Sequence, residues 1–423
     1  MQNLFSDLNR DVLSIIRLAG KEAEKNSFTA YLVGGFIRDL FLRRKNFDID
    51  IVAESDGILF ARQLARRFKG TLKTYPQFKT ATVFLPDGLR IDCATARRES
   101  YPFGGALPVV EEGSIHDDLF RRDFTINAMA VVLNPCRSAE LVDDFGGLRD
   151  LKEGKIRILH EQSFIDDPTR ILRAVRFQKR FGFRIEEKTL GLLKDALRGN
   201  AVSRVKPPRY FVEFRKILSE NSAAESLRQI ADFQKTGSVG WDLSINKKTL
   251  DLAKSLTKAI SYFQRKQPRE IKDFKSWISF LIVLLDAANT SAVEKVIKKF
   301  NLDNEAKKEI LLSKDFAGIS RRLSKRIFPH QVYRILKPFG LATLVYFFAK
   351  SKKNVRGHIE CFIGQYRQTA LAVNGRDLKG IGIASGIRMG KILEQILDAK
   401  IDGEVCSRKE EIKMARQLAL KGK

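Results

Sequence analysis

The chain is poor in the residues that build metal clusters, disulfide frameworks and membrane spans. It holds four cysteines and four histidines in 423 residues. Cys93, Cys136, Cys361 and Cys406 stand far apart and fit neither a metal-ligand nor a disulfide spacing. Reduced thiols in a cytoplasmic protein are therefore expected. Histidines so few and so widely spaced exclude an imidazole-based metal cluster, and the dipeptide His116–Asp117 reads as surface. No apolar run approaches the roughly 18 residues of a membrane span. The longest, Trp277–Leu285, sits within a helical pattern. The N-terminus is acidic and lacks a basic–apolar–small cleavage pattern, so no export signal is expected. No internal repeat or low-complexity tract is visible.

Acidic residues are scarce in one part of the chain only. Residues 1–150 carry 21 basic and 21 acidic groups, whereas the whole chain has a formal charge of +27, so the entire excess lies in residues 151–423. A polyanion held along the C-terminal two-thirds, with chemistry done at the N-terminal end, accounts for this asymmetry. A generic lysine-rich surface is the alternative. The length admits roughly two to four domains.

Apolar residues at helical spacing over residues 1–25 predict a leading helix. From Tyr31 to about Asp144 the pattern changes to short β-rich runs: YLVGG, FDIDIV, TATVFL, LRIDCAT and AMAVVL. Helical stretches at Phe36–Leu42 and Gly57–Arg67 lie between them, which predicts a small mixed sheet with helices on one face. A Gly- and Pro-containing loop, Tyr101–Gly113, interrupts it. From Asp167 onward the chain reads as helix, with a break at Pro207–Pro208 and others expected at Pro268 and Pro329. The fold class is therefore α+β.

The most informative stretch is Tyr31–Val52, YLVGGFIRDLFLRRKNFDIDIV, where a glycine pair opens a helix and Asp-x-Asp follows on a strand. Strand alternation points Asp48 and Asp50 the same way, with Phe47, Ile49 and Ile51 behind them. Two carboxylates on one face, beside a glycine turn that phosphates can approach, describe a metal-assisted phosphoryl or nucleotidyl transfer site. An ordinary βα turn with a polar strand edge is the other reading. Asp92, on another predicted strand, either joins the pair, so that three carboxylates hold two magnesium ions, or caps a strand end. Gly34 and Gly35 admit a triphosphate, and Arg38, one helical turn on, can pair with it.

Two further segments carry chemistry. In RRDFTINAMA, Arg121–Ala130, Arg122 is a candidate phosphate ligand and Asp123 a candidate to orient it. Asn127 either meets a ribose hydroxyl or satisfies backbone groups, the second being preferred. In DDPTRILRAVRF, Asp166–Phe177, Pro168 suits a first helical position and makes Asp167 an N-cap. Arg170, Arg173 and Arg176 follow on one helix face, which is either a solvated stripe or a binding surface. An aspartate that accepts beside an arginine that donates can read cytosine and adenine, which each present an amino donor next to a ring-nitrogen acceptor, and reject uracil and guanine.

Together these segments resemble the class II tRNA nucleotidyltransferase and bacterial poly(A) polymerase family. GGFIRD with FDID is similar to its first motif, RRDFTINAMA to its second and DDPTRILRAVRF to its base-reading motif, with VDDFGGLRDL (Val142–Leu151) similar to the hinge between them. The match runs in order from about Tyr31 to about Thr189. It implies a beta-polymerase-like head over residues 1–150, a helical neck over 151–220 that recognises the base, and a helical body and tail over 221–423 that bind tRNA. It implies Asp48 and Asp50 as Mg2+ ligands. Gly34, Gly35, Arg38 and Arg122 would lie on the incoming nucleotide, Asp167 and Arg170 on its base, and Arg173 and Arg176 would support the pocket or hold phosphate.

Asp166 departs from the glutamate common in relatives. ARRESYPFGGALP is similar to the family's flexible loop, which begins near Arg98 and Glu99, and Asn374–Leu393 is similar to a segment of the tail, where Gly380, Gly382, Gly386 and Gly390 would approach RNA phosphate. Nothing resembles the phosphohydrolase domain of some relatives. The implied activity is template-independent addition of CCA, or only its A or CC part, to the tRNA 3′ end from CTP and ATP. A poly(A) polymerase acting on general RNA and a non-catalytic RNA-binding protein of the same fold are the alternatives.

Overall fold

The computed structural model describes residues 5, 8–45, 48–240 and 244–420. Phe47, expected behind the aspartate row, lies outside the described residues. The chain divides into two compact units, Met1–Glu213 with Asp232–Asp242, and Phe214–Ala231 with Leu243–Lys423.

The first unit begins with α1 (Arg10–Lys25), whose Asn9 side chain accepts from the Asp11 N–H. Val12, Ile15, Ile16, Ala19 and Ala23 recur at three- and four-residue spacing and are buried. Then come β1 (Thr29–Val33), α2 (Gly35–Phe41), β2 (Ile49–Glu54), α3 (Gly57–Phe68), β3 (Thr71–Tyr75), β4 (Thr80–Phe84) and β5 (Arg90–Thr95). A ribbon of β6 (Arg97–Ser100) and β7 (Val109–Glu112) follows, then α4 (Ile115–Phe120), β8 (Ala130–Val132) and β9 (Leu141–Val142). Seven strands form one mixed sheet in the order β3-β4-β5-β2-β1-β8-β9. Only β2 and β5 run parallel within it.

Alternation along these strands makes two different faces. One carries Ala30, Leu32, Ile49, Ile51, Val83, Ile91 and Cys93, all buried. The other carries Tyr31, Val33, Val52, Ala130 and Val132 in a core cluster with Leu119 of α4, against which Ile115 packs. Helices were expected on one face only. Ile115 and Leu119 are one turn apart, so even the short α4 has an apolar stripe, and it packs on the second face. Asp50, Asp92 and Thr82 interrupt that face as a polar row.

The expected loop over Tyr101–Gly113 is shorter than its glycines and prolines suggest. Val109–Glu112 pairs with Arg97–Ser100, so the connecting segment is 101–108. Opposite charges across the ribbon support the pairing, as Arg98 donates to Glu111 at 2.8 Å. After the sheet come α5 (Gly147–Lys152), α6 (Ser163–Asp166), α7 (Thr169–Phe181), α8 (Glu187–Arg198) and α9 (Pro207–Ser219), the last starting at the expected proline break.

The second unit is helical. Helix Ser276–Leu284 is buried from Trp277 to Leu284, which explains the apolar run: a helix apolar all round is a core helix. It packs on Lys247–Lys266 and Leu341–Lys350. The Ser279 hydroxyl donates to the Ala342 carbonyl at 2.8 Å, so its polar group is satisfied inside. Pro329 opens helix Pro329–Leu336 at its first position. Among the described residues no single helix is long and apolar enough to cross a membrane.

Candidate active site

The register of the central strands sets the carboxylates. Asp50 on β2 is the direct partner of Asp92 on β5, and Thr82 on β4 is the next partner along the same row. Asp92 accepts from the Thr82 hydroxyl at 2.6 Å. Asp48 immediately precedes β2, is exposed, and accepts from Arg90 at 2.9 Å. The same guanidinium lies 3.7 Å from Asp92. Burial pushes Asp50 up to about 6, with Asp92 and Asp48 adding repulsion that Arg122 and Arg90 only partly offset. A site that strains to keep its acid charged accommodates a further cation.

The donor set suits magnesium. These are hard carboxylate oxygens, and magnesium is ordinarily held by one or two carboxylates, the rest of its shell being water and substrate phosphate. Among the described residues no three His, Cys, Asp or Glu side chains close into a cage of their own. Asp48 and Asp50 could hold such an ion, with Asp92 adjacent to Asp50.

Beside this row opens a cavity of about 380 Å³, and a smaller one of about 290 Å³ lies against the strands. Gly34, Gly35, Arg38, Asp50, Arg122, Asp167, Arg170 and Arg173 all line the larger one, so residues spread over 140 positions meet in one space. Asp50 and Arg122 line both cavities, and Asp92 lines the smaller. Gly34 has φ +66, and a Cβ there would lie 2.6 Å from an Arg122 nitrogen. Its left-handed backbone therefore favours glycine, and any side chain there would displace the Arg122 guanidinium.

The arginines are held by buried acids. Asp118 is fully buried and binds two of them, Arg121 at 2.6 Å and Arg122 at 2.7 Å. Burial alone would raise its pKa, but Arg122 and Arg121 outweigh that and hold it below the usual carboxylate range. The acid expected to orient Arg122 was Asp123. Asp123 instead pairs with Arg173 at 2.5 Å and accepts from Asn127 at 2.8 Å. Despite its burial, Arg173, the Asn127 hydrogen bond and Arg170 bring Asp123 down to about 2. Asn127 serves side chains, not backbone: its oxygen accepts from Arg38 at 2.7 Å. Arg38 is buried, also pairs with Asp39 at 2.8 Å, and stacks on Phe177 and Phe181.

The arginine face of α7 is not a solvated stripe. Arg170 and Arg176 are 4% and 7% exposed, values that place them inside the fold. Arg170 donates to the Ser163 hydroxyl at 2.6 Å and to the Arg121 carbonyl at 2.7 Å. Arg176 stacks on Phe177 and approaches Glu213 at 3.5 Å, which also meets Arg173 at 3.3 Å. Asp167 accepts from the Thr169 N–H at 3.0 Å and the Thr169 hydroxyl at 2.6 Å, but α7 starts at Thr169, so Pro168 and not Asp167 stands at the cap position, one residue later than expected. Its other oxygen meets Arg209 at 3.0 Å.

Sequence reasoning missed Asp118, Arg121, Tyr101 and Arg209, and placed Glu99 only at the start of the flexible-loop-like segment. Asp118 was signalled by its spacing, three and four residues before Arg121 and Arg122 on one helical face. Glu99 faces Arg121 at 3.1 Å and accepts from the Tyr101 hydroxyl at 3.1 Å, and burial with that carboxylate pushes Tyr101 up to about 12. Arg209, roughly forty residues from Asp167, gave no local signal.

Residues 30–157 match the family model described as the poly A polymerase head domain. The A-adding tRNA nucleotidyltransferase of Geobacter sulfurreducens is 34% identical over 421 residues, covering 97% of this chain and 48% of that protein. The chain thus spans about half the length of this curated relative. The apo form II structure of a CCA-adding enzyme is 36% identical, with a TM-score of 0.76 and 97% of each chain covered. The Thermotoga maritima CCA-adding enzyme complexed with tRNA is 35% identical, with a TM-score of 0.73, covering 99% of this chain and 98% of that one. Paired carboxylates on a mixed sheet beside an arginine-lined cavity are the arrangement of a nucleotidyltransferase-type head. The chain belongs to the tRNA nucleotidyltransferase and poly(A) polymerase family.

Proposed function

We propose that this chain is a template-independent tRNA nucleotidyltransferase that extends the tRNA 3′ end from CTP and ATP, with Mg2+ as cofactor. The observation that carries this is the single cavity on which Asp50, Arg122, Asp167 and Arg170 converge. Asp48 and Asp50 hold the ion, which supplies charge neutralisation and a more acidic attacking hydroxyl. Arg122, fixed by Asp118, and Arg38, fixed by Asn127 and Asp39, bind and orient the triphosphate above Gly34 and Gly35. The 3′-hydroxyl oxygen bonds to the α-phosphorus, its proton leaves to solvent, and the bond to the bridging oxygen breaks to release pyrophosphate. Asp167 accepts from the base amino group while Arg170 donates to the ring nitrogen. Residues 1–150 act as the head, 151–220 as the neck, and the basic 221–423 as the tRNA-gripping body and tail, in a cytoplasmic protein.

Full CCA addition is the first reading. Addition of the terminal A alone is the second, favoured by the name of the Geobacter relative, which aligns with nearly the whole chain. The test is incorporation of labelled CTP and ATP, separately and together, into tRNAs ending at the discriminator base, at C and at CC. Completion from all three supports CCA addition, and a reaction confined to ATP on the CC-ending tRNA supports A addition. A stop after CC makes it the CC-adding enzyme, and a long A tail on unstructured RNA makes it a poly(A) polymerase. No incorporation with Mg2+ present leaves the non-catalytic RNA-binding protein.

A further inference from the structure

The segment between the ribbon strands docks mainly through polar contacts. Phe103 and Leu107 are 68% and 67% exposed, so apolar burial in the segment is confined largely to the small Ala106 and holds it down weakly. What holds it is a small set of hydrogen bonds. The Gly105 N–H donates to the Asp166 carbonyl at 3.1 Å. One Arg209 nitrogen donates to the Gly105 carbonyl at 3.1 Å and the Ala106 carbonyl at 3.0 Å. A different nitrogen of the same guanidinium meets Asp167 at 3.0 Å. Gly105 has φ +81, and a Cβ there would lie 3.1 Å from the Arg204 carbonyl oxygen, so this close approach needs glycine.

We infer that Arg209 is a specificity-positioning residue, which locks the Asp167 carboxylate in its accepting orientation and ties that orientation to the docked 101–108 segment. The planar guanidinium supplies donors in fixed directions, so one side chain can serve a carboxylate and two carbonyls at once. With Thr169 holding one Asp167 oxygen and Arg209 the other, the carboxylate plane is fixed. A fixed acceptor favours bases that donate an amino group there, cytosine and adenine, over uracil and guanine, which present a carbonyl. When the segment lifts, Arg209 loses its carbonyls and the constraint on Asp167 loosens. Arg209 does this from behind Asp167, without lining the cavity itself.

This rests on the reading of Asp167 as the base-reading acid, and the experiment separates the two ideas. Full-length wild type, Arg209→Ala and Arg209→Lys are compared in two assays: amide hydrogen exchange over residues 101–108, and single-turnover incorporation of CTP, ATP, UTP and GTP. The expected result is faster exchange at Gly105 and Ala106 in Arg209→Ala. Preference for CTP and ATP over UTP and GTP should also fall by about tenfold, the scale of one oriented hydrogen bond, with Arg209→Lys between it and wild type. Unchanged exchange overturns the tie to the segment. An equal loss for all four nucleotides overturns the specificity role and leaves a structural one. If wild type incorporates nothing, the enzymatic reading fails, while exchange still decides whether Arg209 holds the segment. Should Arg209→Ala not fold, Arg209→Lys carries both assays.

Discussion

Asp50 and Asp92 are direct partners across a parallel strand pair, two carboxylates forced onto one row by register. Their repulsion, added to burial, is why Asp50 rises to about 6. An acid whose pKa is higher folded than unfolded binds its proton more tightly in the fold. It therefore costs stability as pH climbs from about 4 through about 6, and the cost persists at neutral pH. Asp50→Asn should raise stability at pH 7.5 by about 1–3 kcal/mol in metal-free buffer. It should also abolish the rise in melting temperature that Mg2+ gives the wild type. Thermal melts with EDTA and with Mg2+ measure both, and a variant that melts lower than wild type without metal would contradict the electrostatic account.

Asp48 differs from Asp50 in being exposed and paired with Arg90. Asp48→Ala should leave melting and tRNA binding within error of wild type while incorporation falls by about 10²–10³-fold, the scale of losing one preorganised charge interaction. Filter binding beside incorporation provides the comparison. Unchanged incorporation would remove Asp48 from the metal site.

Asp118 is an anchor under two cavity arginines, with no route to substrate except through them. Asp118→Asn leaves one acceptor oxygen where two served, and buried arginine donors lose a charge partner. A stability loss of about 3–5 kcal/mol is expected, as for breaking a buried pair. Nucleotide affinity should drop similarly for CTP and ATP, because the proposed role of Arg122 is to hold phosphate and not base. Calorimetric titration of both nucleotides and a denaturant melt check this, and a loss confined to one nucleotide would place Asp118 in base selection instead.

The reach of the sequence varied with how local each signal was. The glycine turn, the Asp-x-Asp and the Asp167–Arg170 helix start each lie within a few residues, where strand alternation and capping rules act. The edge strand Thr71–Tyr75 was missed because its residues are mostly exposed, so TLKTY shows no apolar alternation. The α7 arginines read equally well as solvated, because burial of an arginine depends on acids that only the fold brings near. Asp123 and Glu213, which meet Arg173 and Arg176, come from other elements. Asp123 beside Arg122 in sequence suggested a pair, but the fold gave each a different partner, Arg173 and Asp118.

Arg170 combines both kinds of dependence. It is buried, and it donates to the Ser163 hydroxyl and the Arg121 carbonyl. Arg170→Ala removes both bonds and strands polar groups in the cavity wall, which should cost about 1–3 kcal/mol. It also removes the donor set beside Asp167, so UTP and GTP should gain on CTP and ATP by about 10–100-fold in relative incorporation. Arg170→Lys keeps the charge but not the planar fork, so it should recover stability more than selectivity. Competition among the four nucleotides on one tRNA measures the ratio, and a denaturant melt measures the fold. Selectivity that stays at the wild-type value while stability falls would assign Arg170 to the scaffold and leave base reading to Asp167 alone.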